Sequence, residues 1–209
     1  MKQYTGPEKT ERIAEQRRET LMSAERIIFF GERATRAGTN GSQYFCRGAQ
    51  KYIENVGSSN TLDWSGGSLS QSTWDDWYME GPGKFGSGEK LLYVSVDLLM
   101  KMHEWNDTKE RINIGGGDTH SLGVVYTKYK APNGDILKIF QHHMLTDEYA
   151  GAGFIIDPNY TRLKGYGNNP MFSFHSEIQE NDRAGEANEW RALFTLQCSL
   201  PEADGYIHQ

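Results

Sequence analysis

The longest regular pattern of the chain covers residues 5–34, which have the sequence TGPEKTERIAEQRRETLMSAERIIFFGERA. Thr5 and Glu8 are spaced as in a capping box, and Pro7 is tolerated in a first helical turn. From residue 11 to residue 34, apolar residues recur near one side, and arginines and glutamates occupy the rest. The pattern predicts one helix of about 25 residues, about 37 Å long. It is either a solvated surface helix or a spine that neighbouring elements pack against.

Composition places the chain among globular proteins. It has 209 residues, of which 12% are aromatic and 37% are apolar, with 23 glycines and 6 prolines. The aromatic content excludes a disordered chain, and the composition excludes collagen, coiled-coil and low-complexity classes. We expect one large domain, or one domain with a subdomain, with many turns and short strands. The apolar runs are too short to span a membrane, which takes about 20 residues.

Charge is distributed unevenly along the chain, which carries a net charge of −6. Residues 1–36 hold 8 Lys and Arg against 6 Asp and Glu, whereas residues 37–209 hold 14 against 22. A mainly acidic body argues against tight binding of nucleic acid, although it allows a container wall that faces DNA. Cys46 and Cys198 form no disulfide framework, so a reducing compartment is the default.

Short helices are predicted in the first half of the chain. Residues 74–80 form a helix capped by Ser72 or Thr73, and Ser95 caps a second helix over residues 96–105. Residues 50–56 fit either a short strand or a short helix. Residues 38–48 are predicted to be a polar turn region, and residues 57–72 an irregular loop.

The second half is predicted to be rich in strands. Alternating residues at 124–130 and a returning strand at 136–143 flank Asn133-Gly134, and this dipeptide is a strong hairpin signal. Further strands are expected at Gly153–Ile156, at residues 172–178 and at residues 191–200. Together with the long helix, these strands predict an α+β protein.

No motif for catalysis or for cofactor binding emerges from the sequence. Glu89 stands where a phosphate-binding loop needs lysine, and the histidines lack the spacing of a metal site. We therefore expect no cofactor, no metal and no enzymatic activity. Two alternatives remain open. One is a small hydrolase that uses Asp118 and His120, and the other is a peptide- or sugar-binding module that uses Trp74, Trp77 and Tyr78.

The order of elements resembles that of the major capsid proteins of tailed bacteriophages, whose shared fold is named after phage Hong Kong ninety-seven. The likeness is strongest to the SU-ten-type branch of that family. It is carried by sequence patches in residues 24–32, 123–127, 136–140, 153–158, 189–198 and 201–205. The resemblance implies an α+β fold in which a long spine helix lies over a β-sheet, beside a mixed α/β axial domain.

The resemblance also implies a domain division. Residues 1–40 would form the spine helix of a peripheral domain, residues 41–160 mainly an axial domain with the hairpin, and residues 161–209 the closing strands of the peripheral domain. In the family an N-terminal arm and an extended loop precede the spine helix, whereas here the helix starts almost at Met1. We therefore expect a form that lacks those two parts.

The function implied by the resemblance is that of a structural subunit, which assembles as hexamers and pentamers of itself into a viral shell around double-stranded DNA. Portal, scaffold or decoration proteins are further implied partners; sequence-specific DNA binding and a membrane are not. The expected location is the virion capsid, made in host cytoplasm. Nanocompartment-forming encapsulins share the fold and are a related interpretation. The residues expected at the assembly interface are Glu15, Arg17, Arg18, Glu19 and Glu25.

Overall fold

The protein combines helices and short strands, as the predicted α+β class requires. A computed structural model describes residues 6–38, 41–66, 69–107, 127–165, 170–176, 178 and 188–209. The α-helices in these ranges are α1 (Gly6–Phe30), α2 (Ala49–Glu54), α3 (Gln71–Glu80) and α4 (Val96–Asp107). The strands in these ranges are β1 (Ala34–Gly38), β2 (Gly41–Phe45), β3 (Thr61–Asp63), β4 (Glu89–Val94), β5 (Thr127–Lys130), β6 (Ile136–Gln141), β7 (Gly153–Ile156), β8 (Thr161–Gly165), β9 (Phe172–His175), β10 (Glu189–Ala192), β11 (Phe194–Cys198) and β12 (Gly205–His208).

The chain divides into two compact units. Unit 1 comprises Met1–Ala49 and Leu163–Leu196, and unit 2 comprises Gln50–Arg162 and Gln197–Gln209. The division expected from the resemblance, with its peripheral and axial domains, stays a prediction.

Unit 2 is built on a six-stranded mixed sheet with the strand order β3-β12-β7-β4-β6-β5. Strand β4 is central, parallel to β6 and antiparallel to β7. Alternate residues of β4, such as Leu92 and Val94, are fully buried in the hydrophobic core. Helices α3 and α4 add Trp74, Tyr78 and Leu98 to the same core, so this face of the sheet is covered by helices.

The hairpin predicted around Asn133-Gly134 is confirmed. Strands β5 and β6 are antiparallel, and the backbone N–H of Gly134 donates to the Ala131 carbonyl at 2.9 Å. Gly134 has a φ of 95°, a conformation that favours glycine because it has no Cβ. The predicted start of this strand, at residues 124–126, lies outside the described residues.

Two helix starts test the predicted caps. Ser95 caps α4 as predicted, because its Oγ accepts from the Leu98 N–H at 3.2 Å. The predicted cap of α3 is wrong. Ser70 is the cap, with its Oγ accepting from the Thr73 N–H at 3.2 Å, and α3 begins at Gln71. Neighbouring hydroxyl residues are all competent caps, and only the extended backbone of Ser70 selects among them.

Unit 1 contains α1 and the paired strands β1–β2 and β9–β10, both antiparallel. The long helix is confirmed, but it ends at Phe30 rather than at residue 34. A Cβ on Gly31 would lie 2.4 Å from the Ile27 carbonyl oxygen, and the Gly31 carbonyl accepts from the Gly48 N–H at 2.7 Å. The chain leaves the helix at this glycine.

Three further predictions in and near unit 1 need correction. The polar turn region predicted at residues 38–48 contains strand β2, because β1 and β2 pair with each other. The single strand predicted at residues 191–200 is split into β10 and β11, with the Leu193 N–H donating to the Met171 carbonyl at the break. The strand expected at residues 172–178 ends at His175. Residues 50–56, left open between strand and helix, contain most of α2.

Candidate functional site

Most of the surface of α1 is exposed. The side of α1 that turns inward bears Ile13, Thr20, Ala24 and Ile28, which recur at helical spacing and are buried or half-buried. Within unit 1, α1 packs on β10. The guanidinium of Arg17 lies 5.8 Å from the centre of the Trp190 ring, a distance at which the cation and the ring attract each other.

The residues predicted at the assembly interface all lie on α1. Glu15, Arg18 and Glu19 are exposed, and Glu25 is half-buried. Arg17 is exposed too, although its guanidinium is placed over Trp190. The interface role of these five residues stays a prediction.

Large apolar side chains on the surface are concentrated in unit 1. Among the described residues, those exposed in unit 1 are Leu21, Met22, Ile27, Phe45, Leu163, Met171, Phe174, Ile178 and Leu193, and those exposed in unit 2 are Met79, Phe85, Val96, Met100 and Tyr160. All the residues of the buried hydrophobic core cluster belong to unit 2. Unit 1 therefore contributes no residue to the buried core cluster and exposes many large apolar side chains.

The binding module suggested by Trp74, Trp77 and Tyr78 is not supported by the structure. All three side chains are buried in the core of unit 2, and the Trp74 ring lies 5.4 Å from the Trp77 ring. They cannot form an exposed aromatic groove. Asp118 and His120, the residues of the alternative hydrolase, lie outside the described residues.

A buried ammonium group is the most unusual polar feature of unit 2. The alternation of β4 turns Lys90 to the same side as Leu92 and Val94. This charged side chain is therefore fully buried. Its Nζ donates to the backbone carbonyls of Pro82, of Phe85 at 2.7 Å and of Ala203 at 3.0 Å. An ammonium has three donors, and these carbonyls use all of them. Lys90 thus joins the loop around residues 82–86 to the turn that ends at residue 203.

Two buried carboxylates lie next to this lysine. Asp157 accepts from the backbone N–H of Ser87 at 2.6 Å, and Asp204 accepts from the backbone N–H of Asp157 at 2.7 Å. The hydroxyl of Thr161 donates to Asp204 at 2.7 Å. Burial lowers the pKa of Lys90, and the neighbouring Asp157 carboxylate opposes that shift.

Burial also changes the acidity of the groups around Asp204. It raises the pKa of Asp204 to about 6, against the lowering effect of the hydrogen bonds from Asp157 and Thr161. Burial and the nearby Asp204 raise the pKa of the Cys198 thiol to about 12, so the thiol is protonated and a poor nucleophile. All three protons of the ammonium are engaged, and the Cys198 thiol is a poor nucleophile, so the cluster of Lys90, Asp157 and Asp204 has a structural role. We call this cluster the clasp.

The sequence contained a signal for the clasp that motif reasoning missed. In Glu89-Lys90-Leu91-Leu92-Tyr93-Val94, a lysine shares the inward parity of two aliphatic residues. A lysine at a core position needs partners, because an unpaired buried charge is strongly unfavourable. The sequence did not reveal those partners, since they are backbone carbonyls, which every residue carries, and one of them, that of Ala203, comes from a distant segment.

In the described ranges, no three His, Cys, Asp or Glu side chains are grouped so that they could hold a metal ion. None of the helices in those ranges combines the length and the hydropathy needed to cross a membrane.

Comparison with known proteins finds a likeness in structure but none in sequence. No protein-family profile matches the chain, and no curated protein matches its sequence. A similar solved structure is that of a protein assigned as the capsid protein of a prophage of E. coli CFT073, with 13% sequence identity and a TM-score of 0.46. The alignment covers 72% of this chain and 52% of the other, so this chain spans about half the length of that neighbour. This likeness of backbone carries no conclusion about function.

Proposed function

We propose that the chain is a structural subunit that assembles with copies of itself. The observation that carries this proposal is the contrast between the units. Unit 2 has a closed hydrophobic core, whereas unit 1 exposes large apolar side chains on α1 and on its strands. Single exposed apolar residues are ordinary, but a concentration of them marks an interaction surface.

Such a surface supplies a favourable free energy when copies cover it. Covering one large aliphatic or aromatic side chain completely contributes about 1.5–3 kcal/mol, and these side chains are already partly covered. Several of them buried together contribute several kcal/mol per contact, and a closed assembly repeats each contact many times. The mixed charges of α1 contribute more to register and orientation than to affinity, and a reversed charge would face a like charge in the contact. Glu15, Arg17, Arg18, Glu19 and Glu25 are the charged positions proposed for this role.

The finer proposal is that the assembly is a viral shell of the tailed-phage type. It rests on the sequence patches that resemble those capsid proteins and on the long exposed helix α1, which the resemblance interprets as a spine helix. Such a subunit would form hexamers and pentamers and enclose double-stranded DNA without reading its sequence. It would have no enzymatic role. Its place would be the virion capsid, after synthesis in host cytoplasm.

A pair of matched substitutions tests self-assembly. Met22 on α1 is 40% exposed and Met100 on α4 of unit 2 is 60% exposed. We expect Met22→Glu, alone and with Leu21→Glu, to shift the purified chain toward smaller species in analytical ultracentrifugation and to remove particles seen by electron microscopy. Met100→Glu introduces the same charge on the other unit and should leave both measurements unchanged. Wild-type protein that stays monomeric at all concentrations would refute the proposal.

The charged positions need a separate test, because Arg17 also packs on Trp190. Reversal of Arg18 alone, in Arg18→Glu, should weaken association without changing the tryptophan fluorescence of the monomer. Arg17→Glu should alter both measurements, since it removes the contact with Trp190. An unchanged assembly profile for Arg18→Glu would exclude that residue from the interface.

A further inference from the structure

The strand pair β1–β2 of unit 1 forms a hairpin with little cover. Within the described residues, β1 and β2 pair only with each other. Residues 34–37 of β1 are all exposed, although neighbouring residues of a strand point to opposite faces. Phe45, at the end of β2, is 46% exposed. Strand β1 is therefore uncovered on both faces, and the outer edge of each strand lacks a strand partner in the described part of the chain.

Two glycines fix the root of this hairpin on the C-terminal end of α1. The Gly48 N–H donates to the Gly31 carbonyl at 2.7 Å, and the Gly31 N–H donates to the Ile27 carbonyl at 2.9 Å. A Cβ on Gly48 would lie 2.5 Å from the Gly31 nitrogen and 2.8 Å from the Phe29 carbonyl oxygen, so this approach requires glycine. The hairpin is thus held firmly at its base while its strands stay uncovered.

A hairpin of this kind needs a partner to be stable. An isolated two-stranded hairpin is at best marginally stable in water, and an exposed strand edge is a template for pairing with another chain. Ala34 is paired with Phe45, and Arg36 lies two residues further along β1, so Arg36 and Phe45 are diagonal neighbours on one face. This face offers an aromatic ring together with a positive charge.

The charge of the hairpin indicates which surface covers it. Residues 33–47 include three arginines and no aspartate or glutamate. Arg33 and Arg36 are exposed, and neither forms an ion pair with a described residue. Unit 2 is the acidic part of the chain, with 10 Lys and Arg against 17 Asp and Glu. Complementary charge favours a contact between the hairpin and unit 2 of another copy, whereas two hairpins placed edge to edge would bring arginines together.

We propose that the β1–β2 hairpin is a docking arm, which binds to the acidic unit 2 of a second copy of the chain. The inference rests on the proposed self-assembly and deepens it by naming two surfaces that meet. The arginines supply charge, Phe45 supplies apolar area, and the free strand edges allow backbone hydrogen bonds with the receiving copy. Two unpaired arginines are few for a phosphate-binding stripe, so a nucleic acid is the less favoured occupant.

Charge reversal at Arg36 tests the docking arm. Because this side chain is exposed, Arg36→Glu should unfold in urea as the wild type does. We expect the dissociation constant for self-association, measured by analytical ultracentrifugation, to rise about 10-fold or more, since the new carboxylate would face an acidic unit. The matched control is Arg162→Glu, which changes an exposed strand arginine of unit 2 and should not weaken association. Equal weakening in both variants would overturn the proposal.

Cross-linking identifies the surface that receives the arm. Arg36→Lys keeps the positive charge and provides an amine, which a carbodiimide joins directly to a carboxylate in contact with it. Unlabelled and nitrogen-15-labelled chains are mixed before the reaction, so that mass spectrometry separates links within a chain from links between copies. We expect links between position 36 of one copy and Asp or Glu residues of unit 2 in another. Absence of links between copies, or links to unit 1 of the other copy, would overturn the proposal.

The outcomes separate the docking arm from the proposed function. A wild-type chain that stays monomeric would refute self-assembly itself. Association that is equal in wild type and in Arg36→Glu would refute the docking arm and leave self-assembly intact. If Arg36→Glu associates normally but loses binding to short duplex DNA in an electrophoretic shift assay, the hairpin contacts nucleic acid and the docking arm is wrong.

Discussion

Lys90 stabilises unit 2 by holding three carbonyls of two loops with one ammonium group. In Lys90→Met those carbonyls lose their donor, and Asp157 and Asp204 lose the nearby positive charge. We expect the free energy of unfolding to fall by about 3 kcal/mol or more, measured by urea denaturation. Lys101→Met removes an exposed pair with Glu104 and should change stability by less than about 1 kcal/mol. A similar small loss for Lys90→Met would mean that the three carbonyls find other donors.

Asp204 makes the stability of unit 2 depend on pH. Its pKa is raised from 3.8 to about 6, so the native state keeps a proton that the unfolded chain releases. This contribution is complete below about pH 4 and is lost as the pH rises through about 6, a total of up to about 3 kcal/mol. Asp157, Cys198, Thr161 and Lys90 surround the group and are retained in Asp204→Asn.

The measurement for Asp204 is a difference between two proteins. The free energies of unfolding of wild type and of Asp204→Asn are compared from pH 4 to pH 7.5, so that titrations common to both cancel. We expect the wild type to lose stability relative to the variant over this range. A gap between the two proteins that does not change with pH would contradict the raised pKa.

At the scale of the element, α3 depends on a single cap. The Oγ of Ser70 accepts from the Thr73 N–H and also contacts the hydroxyl of Ser72 at 2.9 Å. Ser70→Ala should reduce the free energy of unfolding by about 1 kcal/mol, because one backbone donor of the first turn loses its acceptor. Ser70→Asp keeps an acceptor and should retain most of the stability in the same thermal or urea unfolding experiment. Equal losses in both variants would argue for another cap.

The helix α1 shows how an element can be regular without being buried. Its 25 residues form a continuous helix, yet among residues 9–30, the part whose exposure the structure describes, only Ala24 and Phe29 are buried. Helices of this exposure are usually stabilised by packing on a neighbour rather than by propensity alone. In this chain β10 supplies part of that packing, and the proposed copies supply the remainder.

At the scale of the whole molecule, the two units should differ in local stability. The core cluster lies in unit 2, so amide hydrogens of β4, β6 and β7 should exchange only through its global unfolding. Amides of β1, β2, β9 and β10 lie in two-stranded pairs, which are marginal by themselves, and should exchange much faster in the monomer. Hydrogen exchange followed by mass spectrometry measures both sets in one experiment.

The same experiment also bears on assembly. Protection in unit 1 should increase at concentrations where the chain associates, because association covers its exposed apolar residues. Protection in the central strands of unit 2 should not change. Equal protection of both units in the monomer would contradict the contrast on which the proposed function rests.

The sequence predicted best those structural features that depend on residues close together in the chain. The long helix, the Asn133-Gly134 hairpin and the Ser95 cap follow from residues that are close in the chain, so spacing alone identified them. The β1–β2 pair was missed because its polar strands lack the alternation that burial imposes. The cap of α3 was misplaced because several adjacent hydroxyl residues satisfy the same rule.

By itself, the sequence determined the α+β class, the extended charged helix and the absence of familiar catalytic motifs, since periodicity and residue chemistry are written along the chain. Only the tertiary structure decided which surfaces stay uncovered and where the ammonium of Lys90 finds its carbonyls. Each of these features depends on residues far apart in the chain, such as Lys90 and Ala203, and such neighbours are fixed by the packing of the sheet rather than by any local pattern.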